Sequence, residues 1–304
     1  MKEFKTTIGG QALIEGVLMK GPSKTSMAIR KPNGEIHVEV QENFSLGEKY
    51  PFLELPFLRG VVRLIEAMVM GIHGIFYSAS FQEEPEESFF QKKFPKYGEK
   101  LEEAFTLLLS VGLSVLLFLI VPNFITSLIT RGVESSLGKN LVEGILRFLL
   151  FFGYLIFVSR QEDLKRVFEY HGAEHKSIAC YEHGAPLEVR EALAYSRLHP
   201  RCGTSFLFTV FFLSVFLLAF FGWPSPLMRL VIRLLMLPVI AGISYEVNRL
   251  VGKYDNPITR ALRWPGLMIQ RLATVREPSE AQLEVGLAAL KAVLPQEGEE
   301  DQWK

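Results

Sequence analysis

The sequence predicts a mainly α, polytopic membrane protein. It reads as a bundle of four spanning helices with an amphipathic interfacial helix and a small N-terminal β-containing cytoplasmic subdomain. Three features lead to that reading. Four long apolar runs, roughly 104–129, 141–158, 204–222 and 227–245, come close to the length that crosses the hydrocarbon core of a bilayer, about twenty residues. Basic residues are distributed unevenly between the loops. The first 56 residues show strand alternation and glycine punctuation in place of a helical period.

The loops set the orientation. The 130–140 loop holds only Arg131 and Lys139, and the 223–226 turn holds no base. The 159–203 segment, by contrast, carries Arg160, Lys165, Arg166, Lys176, Arg190, Arg197 and Arg201. Lys92, Lys93, Lys96 and Lys100 precede the first run, and Arg249, Lys253, Arg260 and Arg263 follow the last. An excess of Lys and Arg marks the cytoplasmic side. Both termini and the central segment are therefore expected in the cytoplasm of a bacterial cell, with the runs in the inner membrane. Met1–Thr7 is polar and lacks the apolar core of a cleavable signal peptide, so insertion is expected to use the internal runs. The 33 bases balance 33 acids, which excludes a general nucleic-acid binder with a basic face. The lipid bilayer is the first expected partner.

Taken in order, residues 1–56 form the cytoplasmic subdomain. Ser26–Arg30 and Glu35–Val40 flank Lys31-Pro32-Asn33-Gly34 and read as a hairpin, because Asn-Gly supplies the positive backbone angles of a tight turn. Gln11 and Glu15 are polar residues in the apolar stretch Ile8–Pro22, either site residues or partners at a strand edge. Residues 57–103 give an amphipathic helix, with Arg59, Arg63, Glu66, His73 and Tyr77 at helical spacing, and then a charged linker. Residues 104–158 hold spans one and two, 159–203 a cytoplasmic helical segment, 204–245 spans three and four, and 246–304 C-terminal helices and tail. Ser159 with Glu162 and Ser279 with Gln282 have capping-box spacing. A second central helix is expected over 187–198, and Gly298–Lys304 reads as a disordered tail. Arg147, Arg229 and Arg233 lie inside apolar runs, where charges are costly. They are expected near the outer helix ends, snorkelling to the headgroups, with Glu143 a local partner for Arg147.

The chemistry concentrates in 169–206, which holds four of the six histidines and both cysteines. His171 and His175 stand one helical turn apart on the apolar line of Leu164, Val167, Phe168 and Ile178, with Glu174 adjacent. His199 and Cys202 sit on a turn at Pro200 just before the third span. His171, His175, His199 and Cys202 are thus a candidate donor set whose chemistry suits zinc. Three ligands with an open position would make the centre catalytic and Glu174 its general base. Four would make it structural. The string His171-x-x-Glu174-His175 has the form of the inverted zinc-protease motif, but it lies outside any span, unlike intramembrane metalloproteases. Cys202 is alternatively a nucleophile activated by His199 or His171. Cys180, on the opposite helix face, reads as packing.

Four segments carry a resemblance: Gly9-Gly10-Gln11-Ala12 with Glu15-Gly16-Val17, Tyr170-His171-Gly172-Ala173-Glu174-His175-Lys176, His199-Pro200-Arg201-Cys202-Gly203-Thr204-Ser205-Phe206, and Arg276-Glu277-Pro278 with Gln282 and Glu284. Together they resemble the YqhQ-like bacterial membrane proteins, over nearly the whole chain. That family is a domain of unknown function labelled a predicted metal-dependent enzyme, so the resemblance implies a metal centre on these histidines. Two functions stay open at this point. One is metal-assisted hydrolysis at a cytoplasmic zinc site. The other is a non-enzymatic accessory or scaffold for another membrane complex such as a translocon, transporter or membrane protease. A transporter using the intramembrane arginines for an anionic solute is a third reading.

Overall fold

This computed structural model describes residues 4–43, 45–82, 89–94 and 97–302. The chain forms two compact units, one of Met1–Gln82, Ile156–Thr209 and Gly242–Lys304, the other of Glu83–Leu155 and Val210–Ala241.

The first unit is built on an antiparallel sheet in the order β1 (Gly9–Leu13), β2 (Gly16–Lys20), β3 (Lys24–Arg30), β4 (Ile36–Glu42). The expected hairpin is its second half, and Gly34 takes φ +88° in the turn. Strand alternation sends β2 side chains to two faces. Val17 and Met19 join Tyr170, Ile178, Val285 and Leu290 from α5 (Glu162–Glu182) and α10 (Glu280–Ala292). Leu18 joins Leu13 and Met27 under Met70 and Tyr77 of α1 (Leu58–Ala79). The sheet is therefore covered on both sides. Close approach on the α1 side depends on glycine, since a Cβ on Gly74 would lie 2.8 Å from Leu13 Cδ2.

α1 carries Ile65, Met68, Val69 and Ile75 exposed on its other side. Among the described residues five helices are long and apolar enough to cross a membrane, the four expected and α1. The glycine face that packs on the sheet is the reason it also reads as an interfacial helix. His73 lies on α1 stacked against Tyr77, whose hydroxyl meets His37 Nε2 at 3.2 Å, and apart from the histidines of α5.

In the second unit, α2 (Gly98–Val115) and α3 (Val121–Ile129) are joined by a π turn at Leu116–Ile120. Pro122 explains it. Proline lacks a donor and its ring clashes with the carbonyl four residues back, and the wider turn relieves both. α4 (Ser136–Val158) packs on α7 (Gly203–Leu218), with Phe148 4.4 Å from Phe152 and 5.2 Å from Phe211 between ring centres. A Cβ on Gly144 would lie 2.8 Å from Val215, so glycine sets that close approach as well. α8 (Pro226–Lys253) follows.

Several expectations change. Ser159 does not cap α5: its hydroxyl donates to Ile156 O, and Gln161 holds the N-cap position. The box at Ser279 and Gln282 forms as expected. The central helix expected over 187–198 shrinks to α6 (Val189–Leu193), because the chain after it turns toward the site through Arg197 and His199. The tail is ordered through Gln302, held by Asp301, whose carboxylate accepts from Thr6 Oγ1 at 2.8 Å and Tyr181 OH at 2.9 Å. Residues 83–88 and 95–96 of the expected linker, with Lys96, and the last two residues of the tail lie outside the described residues.

Arg229 and Arg233 stand within the first eight residues of α8, near its end as expected, and Arg147 lies deeper in its own helix. Arg147 is the twelfth of 23 residues in α4, well inside it. Arg147 and Arg233 both donate to Glu143, and Arg229 donates to Asn123, Ser127 and the Pro224 carbonyl. The charges are turned inward onto polar groups of their own unit.

Candidate metal centre

α5 sets the centre because a turn of helix puts residues four apart on one face. His171 and His175 have ring centres 4.4 Å apart. His171 Nδ1 donates to Thr274 O at 2.9 Å, and His175 Nδ1 donates to Arg197 O at 2.6 Å. A carbonyl can only accept, so each ring carries its proton on Nδ1 and leaves a lone pair on Nε2. Both Nε2 atoms face Cys202, whose Sγ is 3.2 Å from His171 Nε2. The three donor atoms lie within 4.8 Å of one another.

Backbone carbonyls hold this arrangement from α9 (Pro257–Ile269) onward. A π turn at Gln270–Thr274 ends α9 and brings the Thr274 carbonyl to His171. Gln270, fully buried, accepts from His199 N at 3.0 Å and donates to His199 O at 2.9 Å. This two-point clamp fixes the turn that carries Cys202. Arg197 donates to Val275 O, closing the loop whose carbonyl holds His175.

Glu174 points to the same place. Its Oε1 accepts from Gly10 N on the free edge of β1 at 3.0 Å, and its Oε2 lies 3.8 Å from His171 Nε2 without a hydrogen-bond partner. His175 Nε2 is likewise buried and unpartnered. Buried polar atoms are normally paired, so two orphans beside a thiol mark an incomplete coordination or binding site.

The electrostatics describe the same pair as an imidazolium and a thiolate, in which a proton on His171 Nε2 takes the place a cation would hold. Burial opposes ionisation of Cys202, yet His171 and His175 outweigh it and hold the thiol well below its usual range. Burial works against the His171 imidazolium as well, but the Cys202 thiolate prevails and pushes His171 up to about 9. Burial raises Glu174, which makes it readier to take and hold a proton.

His199 is not in this group. Its Nε2 faces Glu182 Oε2 at 3.4 Å, and Arg201 also donates to Glu182. Burial pushes His199 down. Its separation follows from the Gln270 clamp, which grips the His199 backbone while the side chain turns to the acid. Glu15 and Gln11 also lie elsewhere. Glu15, at φ +49° in the β1–β2 turn, pairs with Arg166 and Tyr170, and Gln11 donates to Ala67 O. Cys180 is packing, its Sγ 3.3 Å from Pro186 O.

A cleft of about 790 Å³ in the same unit is lined by Gly9, Gly10 and Gln11 with Arg59, Arg63 and Arg249. Gly10 is shared between the cleft wall and the Glu174 hydrogen bond. Sequence reasoning missed Gln270 and the Thr274 and Arg197 carbonyls, and met Gly10 only as part of the Gly9-Gly10-Gln11-Ala12 motif. Only Gly9-Gly10 left a signal, since a Cβ on Gly10 would lie 2.3 Å from Leu18 O and 3.1 Å from Glu174 Cγ.

Comparison with known proteins agrees with the motif resemblance. The family model described as "Protein of unknown function (DUF1385)" matches residues 55–296. The "Uncharacterized protein YqhQ" of Bacillus subtilis (strain 168) is 35% identical over 298 residues, covering 94% of this chain and 92% of that protein. No solved structure matches. With its apolar helices and this His/Cys cluster, the chain is a membrane protein belonging to the DUF1385 family.

Proposed function

We propose that the cluster is a zinc centre on the cytoplasmic face of a bacterial inner-membrane protein, and that it carries out metal-assisted hydrolysis. One observation supports this most strongly. Both imidazoles are anchored through Nδ1 to backbone carbonyls, so two Nε2 lone pairs and one thiolate converge. Metal-binding histidines characteristically donate their second N–H to a carbonyl or carboxylate. Around a tetrahedral zinc, ligand atoms stand about 3.3–3.7 Å apart, and the Sγ–Nε2 pair is already close to that spacing.

His171, His175 and Cys202 would hold the metal, leaving a fourth position open, which is the pattern of catalytic sites. A zinc ion there supplies Lewis acidity and makes a water acidic near neutral pH. Glu174, whose Oε2 is unpartnered while the Gly10 amide holds Oε1, would be the group to take that proton. The orientation with both termini cytoplasmic rests on the charge asymmetry of the loops.

Substituting Glu174→Gln tests the catalytic role. The protein should keep its metal and fail to complement a deletion strain, while His171→Ala should lose both. Full complementation by Glu174→Gln, with His171→Ala inactive, would make the centre structural.

That second reading has its own observation. The α9 segment exposes Ile258, Leu262 and Trp264, and α1 exposes Met68 and Val69, apolar surfaces of the kind a membrane partner covers. As an accessory or scaffold for a translocon, transporter or membrane protease, the chain would use the same metal to brace its cytoplasmic face.

A further inference from the structure

The second unit buries more positive than negative charge. Glu143 is the one acid within its apolar helices α3, α4 and the Pro226–Ala241 part of α8. Among the described residues it pairs with both Arg147 and Arg233. Arg229 takes neutral partners: Asn123 Oδ1, Ser127 Oγ at 2.6 Å and Pro224 O at 2.9 Å. Arg229 and Arg233 are 5% and 6% exposed, Glu143 2% and the Arg147 side chain 14%, so one carboxylate serves two guanidinium groups while the third has neutral hydrogen-bond partners.

Such an excess is not stable by itself. A buried charge without a partner costs several kcal/mol, and ionisable groups in membrane helices mark ligand or ion sites. Two donors are also unused. Arg233 Nη1 and Arg147 Nε are buried with no hydrogen-bond partner, although both guanidinium groups flank the same Glu143 carboxylate.

The helices place this cluster within reach of an interface. Arg229 is the fourth and Arg233 the eighth residue of α8, about 5 and 11 Å along it at 1.5 Å per residue. Just before α8, the Trp223 ring lies 3.9 Å from the Arg229 guanidinium carbon, and tryptophan favours the headgroup level. Arg229, Arg233 and Arg147 then descend from that level into the bundle.

We propose that Arg147 and Arg233, with Arg229 at the entrance, form an oxyanion site that takes a phosphate group. Arginine suits this chemistry because its planar fork meets phosphate oxygens with two parallel hydrogen bonds. The site is independent of the zinc centre, and nothing in the metal reading requires it.

The test uses the full-length protein in neutral detergent, with melting temperature as the readout. The probes are phosphatidylglycerol, diacylglycerol with the same chains, and inorganic phosphate. A saturable rise of several degrees with phosphatidylglycerol and none with diacylglycerol is expected, and Arg147→Gln/Arg233→Gln should abolish it. If only the lipid acts, the phosphate belongs to a headgroup. If inorganic phosphate acts too, the site admits a free anion. Glu143→Gln guards against a misfolded double variant. It should melt lower and bind the same probe about tenfold more tightly, as the competing carboxylate is gone. No shift with either phosphate probe, or an equal shift in the arginine variant, overturns the proposal.

Discussion

The two polar clusters of this protein solve the same problem in opposite ways. In the first unit, His171, His175 and Cys202 are fixed by backbone carbonyls and an amide clamp, and their free atoms face one point. In the second, Glu143, Arg147, Arg229 and Arg233 are satisfied mostly by side chains, and charge is left in excess. Carbonyl anchoring fixes a tautomer and a direction, which is what a coordination site needs. Side-chain pairing fixes neither so tightly, but it keeps charge in an apolar bundle, which is what an ion site needs.

The difference can be broken from either end. Cys202→Ser should have the largest effect. Losing one ligand forfeits about a quarter or more of the roughly 10–16 kcal/mol of a protein zinc site, or about a thousandfold in affinity. Competition against a chromogenic chelator measures it, and the second unit should melt unchanged. Glu143→Gln is the converse. It leaves two buried guanidinium groups facing a neutral amide and should destabilise the protein by about 3 kcal/mol without altering bound metal.

Gln270→Leu sharpens the comparison, because Gln270 touches none of the proposed ligands. Removing its clamp should weaken zinc binding by about 10- to 100-fold, the usual effect of an outer-shell change. Ser279→Ala is a control in the same unit but away from the centre. It removes the capping box of α10 and should cost about 1 kcal/mol of stability with metal affinity intact.

The smallest effect expected is a pH dependence at the neighbouring His199–Glu182–Arg201 group. Burial holds His199 below its ordinary value of 6.5. Burial works the other way on Glu182, but His199 and Arg201 bring it below its ordinary 4.5. Both contributions are complete above those ordinary values and are lost as pH falls through the folded-state values. Melting temperature should therefore decline on acidification from pH 6.5, less steeply in Glu182→Gln.

Much of this was legible in the sequence, for identifiable reasons. Apolar runs announce spanning helices because nothing else tolerates twenty apolar residues, and Asn33-Gly34 announces a turn because few pairs take its angles. Helical spacing was enough to put His171, Glu174 and His175 together. His199 was harder to place. It shares a turn with Cys202, and the Gln270 hydrogen bonds that separate their directions are long-range contacts with no local pattern. The Thr274 and Arg197 anchors were invisible because a carbonyl carries no residue identity. Arg229 and Arg233 fall near a helix end as expected, whereas Arg147 was harder to place because α4 begins at Ser136, before the apolar run does, which sets it deep in its helix.

The centre itself is tested most directly by X-ray absorption at the zinc edge on protein purified without added metal. A ligand shell with one sulfur at about 2.3 Å and two or more nitrogen or oxygen atoms at about 2.0 Å is the result expected. A protein that retains no zinc and loses no stability to chelators, or a shell without sulfur, would contradict it.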